Sequence, residues 1–406
     1  MVASGTAAGA SPPAASAVSP VAGGSAPTAS GPLPDSETAP PAVFNAGTAN
    51  AGTAGTAAPT MPATSPAAST PAGIAPASAP RTAASPPFPA NSSTPVAAAA
   101  PAGTGSAGSG GSLQAVYYGQ SANTSQVPLS QICAGNTVDI VILAFLSPFA
   151  GPGGYPKVDF GGACPAAAIP GSSATGLLNC LALAANITDC QKAGKKVFLI
   201  IGGSAGSVDI ASAADASTYA TNVWNIFGGG KSTVGRPFGD VKLDGFDVDT
   251  ESKKPANWDT FVSSLRGNFK SDSSKTYYIS AAPQCPISDA SIPLEAMLNM
   301  DYVWVQFYNN GDCNVEASGF LASMTNWSKQ LVDANGGGPK LLVGGPACAT
   351  CGPNGYLAPS AMPSVISAVK AANLKNYGGM MVWDGAEAVE NVVGGKNYME
   401  IVRAAL

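Results

Sequence analysis

The chain has 406 residues, a formal net charge of −5 and no histidine. The absence of imidazole excludes Ser-His-Asp and Cys-His nucleophile pairs and most zinc sites, which leaves carboxylate, tyrosine or lysine chemistry. A mildly acidic chain also lacks the basic surface that nucleic acid requires, so we expect no nucleic-acid partner.

The first 112 residues differ in composition from the rest. They hold 19 of the 35 prolines and only three charged residues, and they are otherwise rich in Ala, Ser, Thr and Gly. Because large side chains are few, burial cannot offset roughly 1 to 2 kcal/mol of backbone ordering per residue. We predict a disordered linker or stalk over 1–112, O-glycosylated or unmodified, and one folded domain over 113–406.

The cysteines and glycosylation sequons indicate an oxidising compartment. All eight cysteines lie in residues 113–406, and an even number without histidine favours disulfides over metal. Four Asn-X-Ser/Thr sequons occur at Asn91, Asn123, Asn186 and Asn326. We expect a secreted or cell-wall protein without a membrane span. Residues 1–6 match no secretory signal, however, so we expect either that a signal is missing from this sequence or that export is unconventional.

Eight short apolar runs in residues 113–406 predict the strands of a parallel sheet, because each is rich in Val, Ile or aromatic residues and longer mixed segments separate them. In chain order they are Gln114–Tyr118, Asp139–Phe145, Lys196–Ile201, Leu243–Val248, Thr276–Ala281, Tyr302–Phe307, Lys340–Val343 and Gly379–Trp383. Helices are predicted at Leu177–Ala193, Ser217–Ile226, Trp258–Phe269, Gly319–Asn335 and Ser360–Ala372. Eight such units predict a single closed (β/α)8 barrel of the α/β class, with its functional groups where strands end.

Four carboxylates occupy the end of the fourth predicted strand, within Lys242–Glu251. Side chains alternate faces along a strand, so Asp247, Asp249 and Glu251 project to one side at intervals of roughly 6 to 7 Å. Three like charges on one inward face repel, and acidic residues are rarely buried unpaired, so at least one should hold a proton. A carboxylic acid of this kind can act as a general acid.

A solvated acidic loop or a calcium site would also produce an Asp-rich segment. Calcium requires more turn residues and oxygen ligands than are present here. Phe246 and Val248 interleave with the acids, which favours a buried strand and a catalytic role.

The spacing of these acids resembles the DxxDxDxE signature of family 18 glycoside hydrolases, with Asp244 as the first of four acids. Other segments resemble the strands of the hevamine-like class III chitinases of plants and fungi, namely Gln114–Gln120, Ala144–Phe149, Ala281–Pro286, Val305–Asn310 and Met380–Asp384. The resemblance covers residues 114–405, and two positions depart from it. Ile200 stands where the third strand usually carries the Ser of SxGG, and Tyr118 stands where Trp is common. We expect the first change to alter the hydrogen bonding of the acids and the rate but not the reaction class.

The resemblance implies a retaining hydrolysis assisted by the substrate's own acetamido group, with no cofactor or metal. Glu251 would be the general acid and base, Asp249 would orient the acetamido N–H, and Asp247 would share a proton with Asp249. Tyr308 would hydrogen-bond the acetamido carbonyl and Trp383 would lie under the sugar, although both could be core aromatics only. Further substrate contacts are assigned to Tyr117, Gln120, Gly202, Gly203, Asp244 and Gln306.

The resemblance also implies three disulfides, Cys133–Cys190, Cys164–Cys180 and Cys285–Cys313, which leaves Cys348 and Cys351 for a fourth. Cys348-Ala-Thr-Cys351 is a CxxC pair and could be redox-active, but no thioredoxin-like strand and helix surround it. A local structural disulfide is the favoured interpretation.

These features together predict a secreted, monomeric endochitinase that cleaves β-1,4 bonds between N-acetylglucosamine units at acidic pH. The alternatives are an endo-β-N-acetylglucosaminidase acting on glycoprotein glycans, a chitin-binding lectin on the same barrel, and a wall-associated protein in which the N-terminal segment matters most. Glu251 favours an enzyme over a lectin, because lectin relatives usually lose this acid.

Overall fold

The computed structural model describes residues 111–121, 126–164, 167–170, 173–204, 206, 208–332, 337–352 and 354–406. The predicted stalk, apart from its last two residues, and the sequons at Asn91 and Asn123 lie outside the described residues. Asn186 lies half-buried in a helix and Asn326 lies exposed on another. Glycosylation of both remains a prediction.

Eight parallel strands close into a barrel in sequential order, as predicted. The strands are β1 Leu113–Tyr118, β2 Ile140–Leu146, β3 Lys196–Gly202, β4 Gly245–Asp249, β5 Tyr278–Ala281, β6 Tyr302–Gln306, β7 Lys340–Pro346 and β8 Tyr377–Trp383. The barrel closes because β1 pairs with both β2 and β8. Continuous apolar runs are typical of such strands, because the barrel interior covers one face and the outer helices cover the other.

Nine α-helices occur in the described residues, and five of them were predicted. They are α1 Leu129–Cys133, α2 Leu181–Lys192, α3 Ala213–Phe227, α4 Trp258–Phe269, α5 Leu294–Met297, α6 Phe320–Leu331, α7 Met362–Ala371, α8 Gly385–Glu390 and α9 Tyr398–Ala405. The bounds of α4 match the prediction. Helix α2 begins four residues later than predicted because Leu178 forms an antiparallel bridge with Ala168. A short hairpin, β9 Val392–Val393 and β10 Lys396–Asn397, precedes α9.

The apolar core has two parts that the barrel wall separates. The outer part lies between the strands and the helices, and the inner part fills the barrel. Tyr117, Phe198, Ile200 and Trp304 belong to the inner part, and Trp304 is fully buried there. Because these side chains fill the interior, the barrel is a packed support for the strand ends.

An ion pair closes the end of the barrel where the strands begin. Arg403 of α9 pairs with Asp139 and donates to the carbonyl oxygens of Thr137 (3.0 Å) and Ser112 (3.1 Å). Asp139 also accepts a hydrogen bond from the backbone N–H of Gln114 at 2.8 Å. The last helix and the start of β1 are thereby joined at this end.

Four disulfides link all eight cysteines: Cys133–Cys190, Cys164–Cys180, Cys285–Cys313 and Cys348–Cys351. The first three are the pairs that the family resemblance implied, and the fourth is the local pair. Among the described helices, none has both the length and the apolar character needed to cross a bilayer.

Candidate active site

The three acids at the end of β4 form a row that runs from the barrel interior into a cleft. Asp247 is fully buried, Asp249 is 7% exposed, and Glu251, two residues beyond the strand, is half-buried. Asp249 and Glu251 both line the cleft. The alternation of the strand therefore brings all three predicted acids to one side.

Asp247 lies beneath the cleft, where two hydroxyl groups hold its carboxylate. Tyr117 Oη donates to Oδ2 and Ser280 Oγ donates to Oδ1, both at 2.7 Å. The indole N–H of Trp304 donates to Tyr117 Oη at 2.9 Å, which leaves the tyrosine proton for Asp247. The prediction that Tyr117 lines the cleft is wrong, because its side chain is only 2% exposed and lies inside the barrel.

Asp249 is held by an amide from the neighbouring side of the barrel. Gln306 Nε2, at the end of β6, donates to Asp249 Oδ1 and to the carbonyl oxygen of Ala282, each at 2.8 Å. Because a carbonyl oxygen only accepts hydrogen bonds, the contact with Ala282 fixes which end of the amide faces the acid. Gln306 also lines the cleft, as its predicted role requires.

Burial raises the pKa values of all three acids, and neighbouring negative charges add to the effect at Asp249 and Glu251. Burial raises the pKa of Asp247 to about 6, against the opposing effect of its hydroxyl partners. Burial, followed by the charges of Glu251, Asp247 and Asp289, raises the pKa of Asp249 well above its usual range. Burial and the charge of Asp289 also raise the pKa of Glu251, while the Gln306 amide lowers it. The row therefore retains protons at a pH where isolated carboxyl groups are ionised.

Asp289, which was not predicted from the sequence, is a third acid of the cleft wall, beside Asp249 and Glu251. It lies in the loop after β5 and accepts backbone N–H groups from Gln284 (2.8 Å), Ser291 (2.7 Å) and Ile292 (2.6 Å). These three donors fix the carboxylate in place on the same cleft as Glu251. Because it lies in a loop, no strand pattern in the sequence indicated it.

Tyr308 and Trp383 lie at the ends of β6 and β8 and line the cleft with the acids. Burial, and then the charges of Asp249 and Glu251, raise the pKa of Tyr308 well above its usual value, so its hydroxyl stays a donor. The centroid of the Trp383 ring lies 5.3 Å from that of Tyr117, in an edge-on contact, and 5.8 Å from that of Phe145, in a tilted one. These contacts fix the indole as an apolar surface within the cleft.

The cleft has a volume of about 510 Å³, which is sufficient for a sugar-sized ligand. Its polar wall consists of amide and hydroxyl groups in addition to the acids, and three aromatic rings form its apolar part. The residues that line it are Phe145, Ser204, Asp249, Glu251, Lys253, Gln284, Pro286, Ser288, Asp289, Ala290, Ser291, Gln306, Tyr308, Asn309, Asn310, Cys351 and Trp383.

Gly202 and Gly203 make room for protein atoms and not, as predicted, for substrate. Both have positive φ, at 116° and 89°. A Cβ atom on Gly202 would lie 2.3 Å from the carbonyl oxygen of Asp249, and one on Gly203 would lie 2.6 Å from the ring of Phe145. The glycines therefore let β3 approach β4 and let Phe145 turn towards the cleft.

Two other predicted substrate contacts lie elsewhere. Asp244 precedes β4, at the opposite end from Glu251, where it accepts hydrogen bonds from Val197 N and Gln191 Nε2, both at 2.8 Å, and pairs with Lys275. Its predicted contact with substrate is wrong, because it connects the lower ends of strands. Gln120 donates to the carbonyl oxygens of Ala144 and Asp159 at 3.2 and 3.1 Å, and the described cleft-lining residues do not include it.

One group of side chains in the described part of the chain brings metal-ligating atoms together. The ligand atoms of Cys348, Cys351 and Glu387 all lie within 4.8 Å of one another. The two sulfur atoms are joined in a disulfide, however, and metal ions bind thiolates. In this oxidised form the group is not suited to hold a metal.

Comparisons with known proteins agree with this geometry. Residues 114–349 match the family described as Glycosyl hydrolases family 18. Endochitinase 3 of Metarhizium anisopliae is 41% identical over 280 residues, which are 68% of this chain and 93% of that protein. A chitinase from Ipomoea carnea, ICChI, has a solved structure that superposes with a TM-score of 0.61 at 32% identity, over 73% of this chain and all of that one.

A third relative carries a different name on a similar barrel. The xylanase and alpha-amylase inhibitor protein XAIP-II of Scadoxus multiflorus superposes with a TM-score of 0.59 at 26% identity, over 73% of this chain and 99% of that one. The barrel fold alone therefore does not determine the function, which has to be argued from the side chains at the end of the barrel. On the match over more than half of its length, the chain belongs to glycosyl hydrolases family 18.

Proposed function

We propose that this protein is an endochitinase that cleaves β-1,4 bonds between N-acetylglucosamine units with retention of configuration. The observation that carries the proposal is the row Asp247, Asp249 and Glu251, in which Glu251 reaches the cleft with a raised pKa. A protonated acid beside an apolar ring and a tyrosine hydroxyl fits a neutral acetylated sugar. The names of the endochitinase relatives favour the same substrate.

In the first step, Glu251 donates its proton to the glycosidic oxygen as the bond to carbon one breaks. The carbonyl oxygen of the substrate's acetamido group attacks the same carbon, so that no residue of the protein forms a covalent bond. Tyr308 donates a hydrogen bond to this carbonyl oxygen. Asp249 accepts the acetamido N–H, and Asp247 shares the proton that Asp249 gives up.

In the second step, the Glu251 carboxylate takes a proton from water, and the hydroxide attacks carbon one from the face that the leaving group left. The bond between carbon one and the acetamido oxygen breaks as it does so, which restores the acetamido group. The two displacements together retain the β configuration. Gln306 holds Asp249 in the orientation that these two steps need, and the Trp383 ring lies under the sugar. The contacts of that ring with Tyr117 and Phe145 hold it in place.

We propose that the protein acts outside the cytosol, as a secreted or wall-associated enzyme. Four disulfides in a domain of this size support this location, because disulfides persist in oxidising compartments.

Digestion of a tetramer of N-acetylglucosamine, followed by proton NMR, tests the function. We expect internal cleavage with the β anomer appearing first and the α anomer appearing only by later mutarotation. The fully deacetylated tetramer is the matched control and should stay intact, because it lacks the attacking carbonyl. A first product in the α form, or equal cleavage of the deacetylated tetramer, would contradict the mechanism.

A glycoprotein with N-linked glycans separates this function from the endo-β-N-acetylglucosaminidase alternative. We expect chitin oligomers to be cleaved and the glycoprotein to keep its glycans. Release of glycans without cleavage of the tetramer would favour the alternative. The likeness to XAIP-II also makes inhibition of a xylanase worth measuring on the same sample, since inhibition without any hydrolysis would indicate a binding protein.

A further inference from the structure

The fully buried Asp247 has unlike neighbours on its two sides. In the sheet register it lies opposite Ile200 of β3 and opposite Ser280 of β5. Parallel strands in register place such residues on one face, and Ile200 belongs to the same inner cluster as Tyr117 and Trp304. One side of the aspartate therefore meets a hydrocarbon surface and the other a hydroxyl.

Ser280 donates to Asp247 Oδ1 at 2.7 Å, and it is itself fully buried. Tyr117 occupies the other oxygen, Oδ2, at the same distance. Each oxygen of Asp247 thus receives one O–H donor, and the two donors come from strands on different sides of the barrel. A buried carboxylate has no water to replace either donor, so removal of one leaves a charged atom with less compensation.

We propose that Ser280 is a positioning residue for the hydrolysis proposed above. From β5, its hydroxyl keeps Asp247 ionised and correctly oriented. It takes the place of the hydroxyl that β3 lacks at Ile200. This inference rests on the proposed function, because it assigns Ser280 a part in that reaction. Ser280 does not reach the cleft, and it acts only through Asp247.

The charges around Asp247 explain why one hydroxyl matters. The charge of Asp247 raises the pKa values of Asp249 on β4, Tyr117 on β1 and Tyr308 after β6. Of these three groups, Tyr117 also donates a hydrogen bond to it. Burial raises the pKa of Asp247, and the bonds from Tyr117 and Ser280 lower it. An ionised Asp247 keeps the proton on Asp249 before substrate arrives, and it can then accept that proton during the reaction.

The matched pair Ser280→Thr and Ser280→Val tests the proposal, because the two side chains have the same shape and differ in one hydroxyl. We expect the valine variant to lose about tenfold in kcat, the effect of one hydrogen bond to a charged group, with KM little changed. The acidic limb of its kcat profile should move to higher pH, because Asp247 loses a donor that favours its charged form. The threonine variant should keep most of the activity and the original limb.

The double variant Ile200→Ser/Ser280→Ala tests whether the two strands supply equivalent groups. A serine at position 200 faces Asp247 from β3, so the double variant should recover part of the kcat that Ser280→Ala loses. A double variant no more active than Ser280→Ala would overturn the idea that β5 replaces β3. Ser328→Ala is the control. Ser328 is a buried serine of α6 that donates to Asn376 Oδ1 at 2.7 Å, and this variant should leave the pH profile unchanged.

A spectroscopic measurement separates failure of this inference from failure of the proposed function. The titration of Asp247 is followed by carbon-13 NMR of aspartate-labelled protein, with Asp247→Asn used to assign its signal. We expect the pKa of Asp247 to be higher in Ser280→Val than in Ser280→Thr, whatever the protein hydrolyses. Equal pKa values, or equal kcat profiles in an active enzyme, would overturn the inference. An inactive wild-type protein would overturn the proposed function and with it the part of Ser280 in hydrolysis, whereas a pKa difference would still show that Ser280 favours the charged form of Asp247.

Discussion

Gln306 Nε2 donates hydrogen bonds to Asp249 Oδ1 and to the carbonyl oxygen of Ala282, the residue after β5, both at 2.8 Å. The same arrangement recurs at the other end of the barrel, where Gln191 Nε2 joins Asp244 Oδ2 to the carbonyl oxygen of Lys242, again at 2.8 Å. One amide lies in the cleft and the other does not. The chain thus contains its own control for the catalytic importance of such a bridge.

We predict that Gln306→Leu lowers kcat by roughly 10- to 100-fold, the effect of losing a hydrogen bond to a charged group. Asp249 should keep its proton to still higher pH, because the Gln306 bond lowers its pKa. Gln191→Leu should lower the melting temperature but leave kcat within about twofold. A twofold change is smaller than the effect expected from losing one hydrogen bond in the site. Steady-state kinetics on a chitin oligomer and thermal unfolding measure both, and equal kcat losses would contradict the assignment of Gln306 to the site.

Glu251→Gln should abolish turnover and spare binding. The amide cannot donate a proton to the glycosidic oxygen, and general acid and base catalysis contributes roughly 10²- to 10⁴-fold. Calorimetric titration with a chitin oligomer should give an affinity close to that of the wild type, because the amide keeps the size of the side chain. The exposed Glu295→Gln is the control and should retain full turnover. Wild-type turnover in Glu251→Gln would assign the acid to another residue.

Asp289→Asn should move the basic limb of the kcat/KM profile to lower pH. Activity requires Glu251 protonated, so it falls as pH rises through the pKa of Glu251, and the negative charge of Asp289 holds that pKa up. Removing the charge lowers the pKa and narrows the active range. Asp301→Asn is the matched control, because Asp301 is also a half-exposed acid bonded to a backbone N–H, that of Ile279 at 2.8 Å, but it lies at the other end of the barrel.

The free energy of unfolding should fall between pH 4 and pH 7. The pKa of Asp247 is about 6 in the folded protein, above its unfolded value, so the folded state binds more protons across this window and loses stability as they leave. The shift corresponds to on the order of 3 kcal/mol for this fully buried group. Asp384, whose pKa burial also raises to about 6, acts in the same direction.

Urea unfolding at several pH values, with the disulfides intact, measures this dependence. Asp247→Asn should flatten part of the decline, because asparagine does not titrate. The exposed Asp312→Asn serves as control and should leave the slope unchanged. A stability that rises from pH 4 to pH 7 in the wild type would contradict the raised pKa of the acid row.

The barrel could be predicted because its strands are continuous apolar runs that end at turn residues. All eight predicted runs coincide with strands to within a few residues. The helices α1, α5 and α8 were missed because four to six residues are too few to show a helical period. Helix α9, with eight residues and the capping box of Asn397 and Glu400, offered a signal that was overlooked.

The site was predicted well where residues follow one another along a strand and poorly where strands meet. The row of acids on β4 follows from alternation alone. Asp244 and Tyr117 were placed wrongly for one reason. The sequence pattern indicates that a side chain points inward or lies near the acids in the chain, but it does not indicate how deep along the barrel axis the side chain lies. Ser280 and Trp304 contribute to the site only through partners on other strands. These contacts depend on the register between strands, which the sequence does not show. Alternation along β5 would nevertheless have predicted that Ser280 faces inward.

The junction of Arg403 with Asp139 and Ser112 places the start of β1 at the base of the barrel, while the cleft opens at its top. A dye or a bead coupled at Ser112 would meet the barrel at the end opposite the cleft. Immobilisation by that route should leave an insoluble fibre free to approach the catalytic acids, whereas coupling through the lysine at the cleft wall, Lys253, would obstruct it.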